Sequence, residues 1–147
     1  GMKELYEMGW MHNRVRMIVG SFLTKNLLLH WKEGERWFFD TLVDADIGSN
    51  SAGWQWISGS GADASPYFRI FNPILQGKKF DPKGEYVKKF LPSLNRIPEK
   101  FIHSPWEMSI DEQEKYNFIL GRDYTKPIVD LSDTRKRSLA AFKKISA

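Results

Sequence analysis

Cysteine is absent from the 147 residues. That excludes disulfides, thiolate catalysis and cysteine-ligated zinc or iron–sulfur centres. No apolar run reaches about eighteen residues, so no membrane-spanning helix is expected. No charged leader followed by an apolar run and a small-residue cleavage site is visible, and a reducing, cytoplasmic setting is expected. His12, His30 and His103 are scattered, with no pair at i, i+4 to grip a metal. There is no GxGxxG turn, no phosphate-binding P-loop and no Ser-His-Asp or Cys-His set. Strand-like alternation is scarce, and no repeat, βαβ unit or low-complexity stretch stands out.

What is present is an ordinary globular composition, 41% hydrophobic and 27% charged, in a length that suits one domain with a core. Six tryptophans and 14% aromatics are unusual in so short a chain. The net charge is +4, unevenly spread. Residues 1–75 carry seven basic and eight acidic side chains, and residues 76–147 carry fifteen and ten. Five of the six tryptophans fall in the first, near-neutral half. A modest positive excess is compatible with a polyanionic partner and equally with a solvated lysine-rich surface.

The periodicity predicts an all-α fold. Residues 2–8 read as a short helix closed by Gly9. Residues 12–26 read as one helix, with Val15, Ile18, Val19, Phe22 and Leu23 on a core-facing stripe. A second stripe of Asn13, Met17, Gly20 and Thr24 is polar or small. It suits either a tight helix contact at Gly20 or the wall of a ligand site. Residues 32–43 are helical, 44–53 are rich in turn and cap formers, and 54–58 continue as a short helix. The stretch 59–82, punctuated by glycine and proline, predicts a long ordered loop. Residues 83–91, 107–121 and 131–146 complete the predicted helices.

Little classical catalytic chemistry can be assembled. Asp44 and Asp46 are close in sequence, which suits an acid pair or a cap followed by a turn. The tryptophans are the stronger lead. A cluster of them usually packs a core. Tryptophan also stacks on nucleobases, at about 1–3 kcal/mol per base, and it gives up an electron with relative ease.

The ordered segments Gly9 to Met17, Trp31 to Arg36, Asp44-Ala45-Asp46, Asn50 to Trp56, Tyr67 to Pro73 and Lys79 to Glu85 carry a family resemblance. Together they resemble the C-terminal part of the helical FAD-binding domain of the DNA photolyase/cryptochrome family. The likeness spans nearly the whole chain and points to class I cyclobutane pyrimidine dimer photolyases. The resemblance implies light-driven repair of pyrimidine dimers in DNA, by electron transfer from a reduced FAD.

Residue by residue, Asp44, Ala45 and Asp46 resemble the acidic segment that meets the flavin. Arg16 resembles the partner of the first acid, and Asn13 another cofactor neighbour. Asn50 resembles the residue beside flavin N5, where plant cryptochromes carry an acid. Trp54 and Trp31 resemble the first two members of the tryptophan electron relay. Asn13, Arg14, Met17, Trp56 and Gln76 resemble the DNA and lesion contacts. Arg14 would meet phosphate, Met17 would give an apolar wall, and Trp56 a stacking face. The second stripe thereby acquires a reason.

Family members are several times longer. The resemblance implies a partial domain over 1–147, lacking an N-terminal α/β antenna domain, the third tryptophan and the phosphate-binding segment for FAD. The isolated chain is then expected to be inactive, with self-association or an exposed apolar patch where other helices would pack. Two other readings stay open: a cryptochrome-like blue-light sensor, and a cofactor-free helical remnant that binds DNA or a partner. Asn50, Met17 and Trp56 favour repair over sensing.

Overall fold

The computed structural model describes residues 1–65 and 68–145. Tyr67 of the motif, Pro66 within the predicted loop and Ser146 of the last predicted helix lie outside the described residues. Among the described residues the regular elements are helical, and one isolated bridge joins Leu120 and Tyr124. The all-α expectation therefore holds. The chain divides into two compact units, Gly1–Asn72 with Val129–Ala147, and Pro73–Ile128.

The first unit contains α1 (Met2–Met8), α2 (Asn13–Ser21), a π-helical turn (Phe22–Asn26), α3 (Trp31–Thr41), α4 (Ile47–Ser58) and α8 (Leu131–Ile145). The α1 helix ends at Gly9, as its sequence predicts. Leu5, Met11, Phe38, Leu42, Trp54, Ile57 and Phe71 form its buried core. Burying each such aliphatic or phenyl side chain stabilises the fold by about 1.5–3 kcal/mol. Val15, Ile18, Val19 and Leu23 pack against that core, as the first stripe requires.

Two expectations for this unit change. The helix predicted over 12–26 is α only to Ser21, because the Leu27 N–H bonds the Phe22 carbonyl at 3.0 Å, five residues back. The wide turn carries Lys25, a lysine only 2% exposed. Its Nζ donates to the Arg69 carbonyl at 2.7 Å and sits 4.6 Å from the centre of the Phe68 ring. The Phe71 N–H donates to Ser21 Oγ at 3.0 Å, so the segment after residue 68 is tied to the end of α2. The turn-rich residues 44–53 are also largely helical, since α4 starts at Ile47. Asp46 caps it by accepting the Ser49 N–H at 2.7 Å. Packing on α3 overrides the weak helix propensity of Gly48, Ser49, Asn50 and Gly53.

The second unit contains α5 (Pro73–Phe80), α6 (Glu85–Phe90), three 3₁₀ turns and α7 (Ile110–Lys115) around Leu94, Ile97, Phe101, Ile102, Met108 and Phe118. Here the predicted loop over 59–82 is corrected, for 73–80 is a helix. Pro73 sits at its first position, where a proline is preset for helix. Gly77 is needed for closeness and does not break it. A Cβ there would lie 2.3 Å from His103 Nδ1. The other ring nitrogen, Nε2, donates to the Asp81 carbonyl at 2.7 Å. The Asp81 carboxylate accepts the Tyr86 and Val87 N–H groups, both at 3.1 Å, and so starts α6.

The helix predicted over 107–121 is shortened at both ends. Ser109 and Glu112 form a capping box that starts α7 at Ile110. Beyond Lys115, Asn117 adopts the left-handed region at φ 48° and the chain turns back. Gln113 fastens that return, donating to the Met108 carbonyl and accepting the Leu120 N–H.

Candidate functional site

A cavity of about 350 Å³ opens between α2, the residues after α3, and α4, all within the first unit. From α2 it is lined by Asn13, Arg16, Met17 and Gly20, spaced three and four apart on one helix face. Three residues of the odd stripe, Asn13, Met17 and Gly20, are therefore part of a wall, while Thr24 donates its hydroxyl to the Gly20 carbonyl at 2.7 Å and does not line the cavity. The stripe is also a tight contact. A Cβ on Gly20 would lie 2.8 Å from the Ile57 side chain of α4. Both readings of the stripe hold together, because close approach of α2 and α4 closes the bottom of the cavity.

The segment 44–46 forms the rim. The Arg16 guanidinium grips Asp44, with Nη2 at 3.0 and 3.2 Å from the two carboxylate oxygens. Its Nε donates to the Met11 carbonyl at 2.5 Å, which fixes the arginine's direction. The Asp44 side chain is half exposed, so the pair contributes at most about 1 kcal/mol to folding. Its larger effect is to hold charge at the cavity mouth. Asp46 lines the cavity beside it while capping α4. The Ser49 backbone N–H, then its hydroxyl, hold the Asp46 carboxyl below the usual carboxylate range. It is thus an anion that accepts hydrogen bonds and is a poor proton donor at neutral pH.

From α4, Asn50, Trp54 and Trp56 line the cavity with Ser49, Gly53 and Ile57. Asn50 Nδ2 donates to the Glu35 carbonyl of α3 at 2.8 Å. Only the nitrogen end of a carboxamide can bond a carbonyl, so this contact sets its orientation. The oxygen end is left as the acceptor offered to a ligand. The next residue, Ser51, donates to the Glu35 carboxylate, a second tie to the same residue. Trp54 is 4% exposed and meets Phe38 edge-to-face, with ring centres 4.9 Å apart. Gly34 makes room for it, as a Cβ there would be 2.1 Å from Trp54 Cη2.

Nine of the residues singled out in the sequence meet at this one cavity: Asn13, Arg16, Met17, Asp44, Ala45, Asp46, Asn50, Trp54 and Trp56. Three do not line it. Trp31 begins α3, stacks on His30 at 5.6 Å and packs against the core. Arg14 follows Asn13 on α2 and leaves the lining face. Gln76 lies on α5 in the other unit. Phe38, Leu42, Ser49, Gly53 and Ile57 line the cavity without having been singled out for it. Glu35 was likewise missed, since its hold on Asn50 runs through a backbone carbonyl that any residue supplies. Among the described residues no group of three potential metal ligands occurs, and no helix is long and apolar enough to cross a membrane.

Comparison with known proteins adds to this geometry. The model of a family described as the FAD binding domain of DNA photolyase matches residues 1–144. A deoxyribodipyrimidine photo-lyase of Agrobacterium fabrum is 58% identical over 142 residues, covering 97% of this chain and 30% of the relative. Cryptochrome-2 of Arabidopsis thaliana is 50% identical over 140 residues, covering 95% of this chain and 23% of the relative. The crystal structure of a bacterial class III photolyase from Agrobacterium tumefaciens superposes with a TM-score of 0.93 at 57% identity. It covers 99% of this chain and 30% of that one. The chain thus spans less than a third of the length of these relatives.

Proposed function

Because the chain belongs to the family of FAD-binding domains of DNA photolyases, we propose that it is part of a light-driven DNA-repair lyase. Its role there is to carry the flavin-facing part of the cofactor site and part of the lesion pocket. The observation that carries this reading is the convergence of the motif residues of α2, 44–46 and α4 on one cavity. The substrate is DNA containing cyclobutane pyrimidine dimers.

The residues present suit part of an FAD. The cavity is near the lower end of ligand-site volumes, about 300–1,000 Å³, so it fits a portion of a dinucleotide cofactor. Acceptors at Asp46 and Asn50 and the Arg16–Asp44 pair match a ring edge that both donates and accepts hydrogen bonds. When bound, FAD supplies light-driven one-electron chemistry. Asp44, Ala45 and Asp46 bind and orient it, with Arg16 and Asn13 behind them. Asn50 presents an oxygen held in place by α3. Trp54 lies in the wall as the first relay residue, and Trp31 is proposed as the next. Met17 and Trp56 form the apolar and stacking faces for an extruded lesion, while Arg14 and Gln76 contact the DNA strand.

Two finer assignments belong with this proposal. The motif resemblance points to class I, whereas the likeness to the Agrobacterium tumefaciens structure favours class III; Asn50, Met17 and Trp56 bear on repair against sensing. A blue-light sensor is the competing activity, in view of the 50% identical plant cryptochrome. The residues make a partial domain over 1–147, within a cytoplasmic protein.

Binding by the purified chain tests the proposal. The expected result is preferential binding of a dimer-containing oligonucleotide over its undamaged counterpart. Arg14→Ala should weaken binding and reduce its salt slope by about 1. Trp56→Ala should remove the preference for the lesion. Equal binding of damaged and undamaged DNA, unaltered by Trp56→Ala, would contradict the lesion-pocket reading.

A further inference from the structure

The seam between α8 and the π-helical turn lies apart from the cavity, and its hydrogen bonds do not close. Asn26, the last residue of the turn, is 2% exposed, and Ser138 on α8 is 1% exposed. Asn26 Nδ2 donates to Thr134 Oγ1 at 2.9 Å, and Arg137 Nη2 donates to the Asn26 carbonyl at 2.6 Å. These two bonds dock the middle of α8 on the turn. Ser138 is one helical turn beyond Thr134 and so shares its face. Asn26 Oδ1 and Ser138 Oγ are both buried, and neither has a hydrogen-bond partner.

The neighbouring polar side chains are directed to other partners. The Thr134 hydroxyl donates to the Asp130 carbonyl at 2.8 Å, so its proton is spent and it can only accept from Asn26. Turning the Asn26 carboxamide over would set its oxygen against the Thr134 hydroxyl, whose proton is already used, and leave both ends unpartnered. The Arg137 donor that reaches the turn is committed to the Asn26 backbone carbonyl. Lys25, the adjacent residue, directs its ammonium to the Arg69 carbonyl and the Phe68 ring. A helical serine usually bonds the carbonyl four residues back, yet Ser138 Oγ makes no such bond.

An acceptor with no donor, together with a hydroxyl one helical turn beyond the same side chain's partner Thr134, is the pattern that a buried water satisfies. We infer that the α8–π-turn seam is a hydration site, where one water molecule donates to Asn26 Oδ1 and bonds Ser138 Oγ. Water is the ligand because the donor set is neutral and the seam is already closed by two direct bonds. The water is then part of the attachment of α8, a helix more than a hundred residues distant in sequence from the turn it packs on.

The sign of one substitution tests this. A hydroxyl buried without a partner destabilises a protein, whereas a hydroxyl holding a structural water stabilises it. Ser138→Ala is expected to lower the thermal midpoint by about 2–4 °C. A crystal structure of the 147-residue chain should show ordered density within about 3.2 Å of both atoms. A midpoint that stays or rises in Ser138→Ala, together with a dry seam, overturns the inference. So does a Ser138 hydroxyl found turned onto the Thr134 carbonyl. Should Ser138→Ala fail to fold, the density in the unsubstituted chain decides alone.

Discussion

Lys25 is the residue whose environment is least expected from its chemistry. A buried ammonium with one carbonyl partner is costly, and burial pushes its pKa down from 10.5 to about 8. Between those values the unfolded chain is protonated and the folded chain is not, so stability rises with pH across that window. Denaturant unfolding measured from pH 7.5 to 10.5 should therefore show a positive slope, and Lys25→Met should flatten it. A slope unchanged by the substitution would mean that another group carries the titration. Asp46 shifts in the same direction, but in the acid range. Its carboxyl is held low by the Ser49 N–H, so its cap is present above the usual carboxylate range and is lost as pH falls through its lowered pKa. Asp46→Asn should keep the first turn of α4, since asparagine also caps, and Asp46→Ala should fray it. Amide exchange at Ser49 and Asn50 reads the difference.

At the scale of elements, the contact of α3 with α4 organises the site. Trp54 lies on Gly34, and Asn50 and Ser51 are both held by Glu35. Gly34→Ala should cost about 1–3 kcal/mol by overpacking, and Trp54 fluorescence should shift as the indole is displaced. Unchanged stability and emission would mean that α3 and α4 separate freely. This contact also explains what was legible. The α2 stripe was readable because a 3.6-residue period survives any partner. The Arg16–Asp44 pair and the Asn50 position were readable only through the family motif. The helicity of 47–53 and 73–80 was not legible, because its causes lie elsewhere in the chain. Gly53 and Gly77 look like breakers locally, but one lines a cavity and the other admits His103. The early end of α7 was equally hidden, since one left-handed asparagine sets it.

The whole molecule is a short chain with two separate cores and less than a third of its relatives' length. The expectation of exposed apolar surface has its counterpart in Trp37, Phe39, Val43 and Ile47, which are 52%, 45%, 80% and 69% exposed. A hydrophobic dye such as ANS is expected to bind the folded chain, and less so to a Trp37→Glu, Val43→Asp variant. Absence of dye binding would mean that these side chains are scattered and need no cover. The central claim is that this sequence supplies the flavin-facing residues of a repair enzyme. Grafting the chain in place of the matching segment of the Agrobacterium fabrum photo-lyase, then measuring dimer repair under blue light, tests it most directly. The account predicts a yellow, repair-competent hybrid whose activity is lost in Asn50→Ala and Trp56→Ala. A folded hybrid that retains flavin and repairs nothing would contradict it.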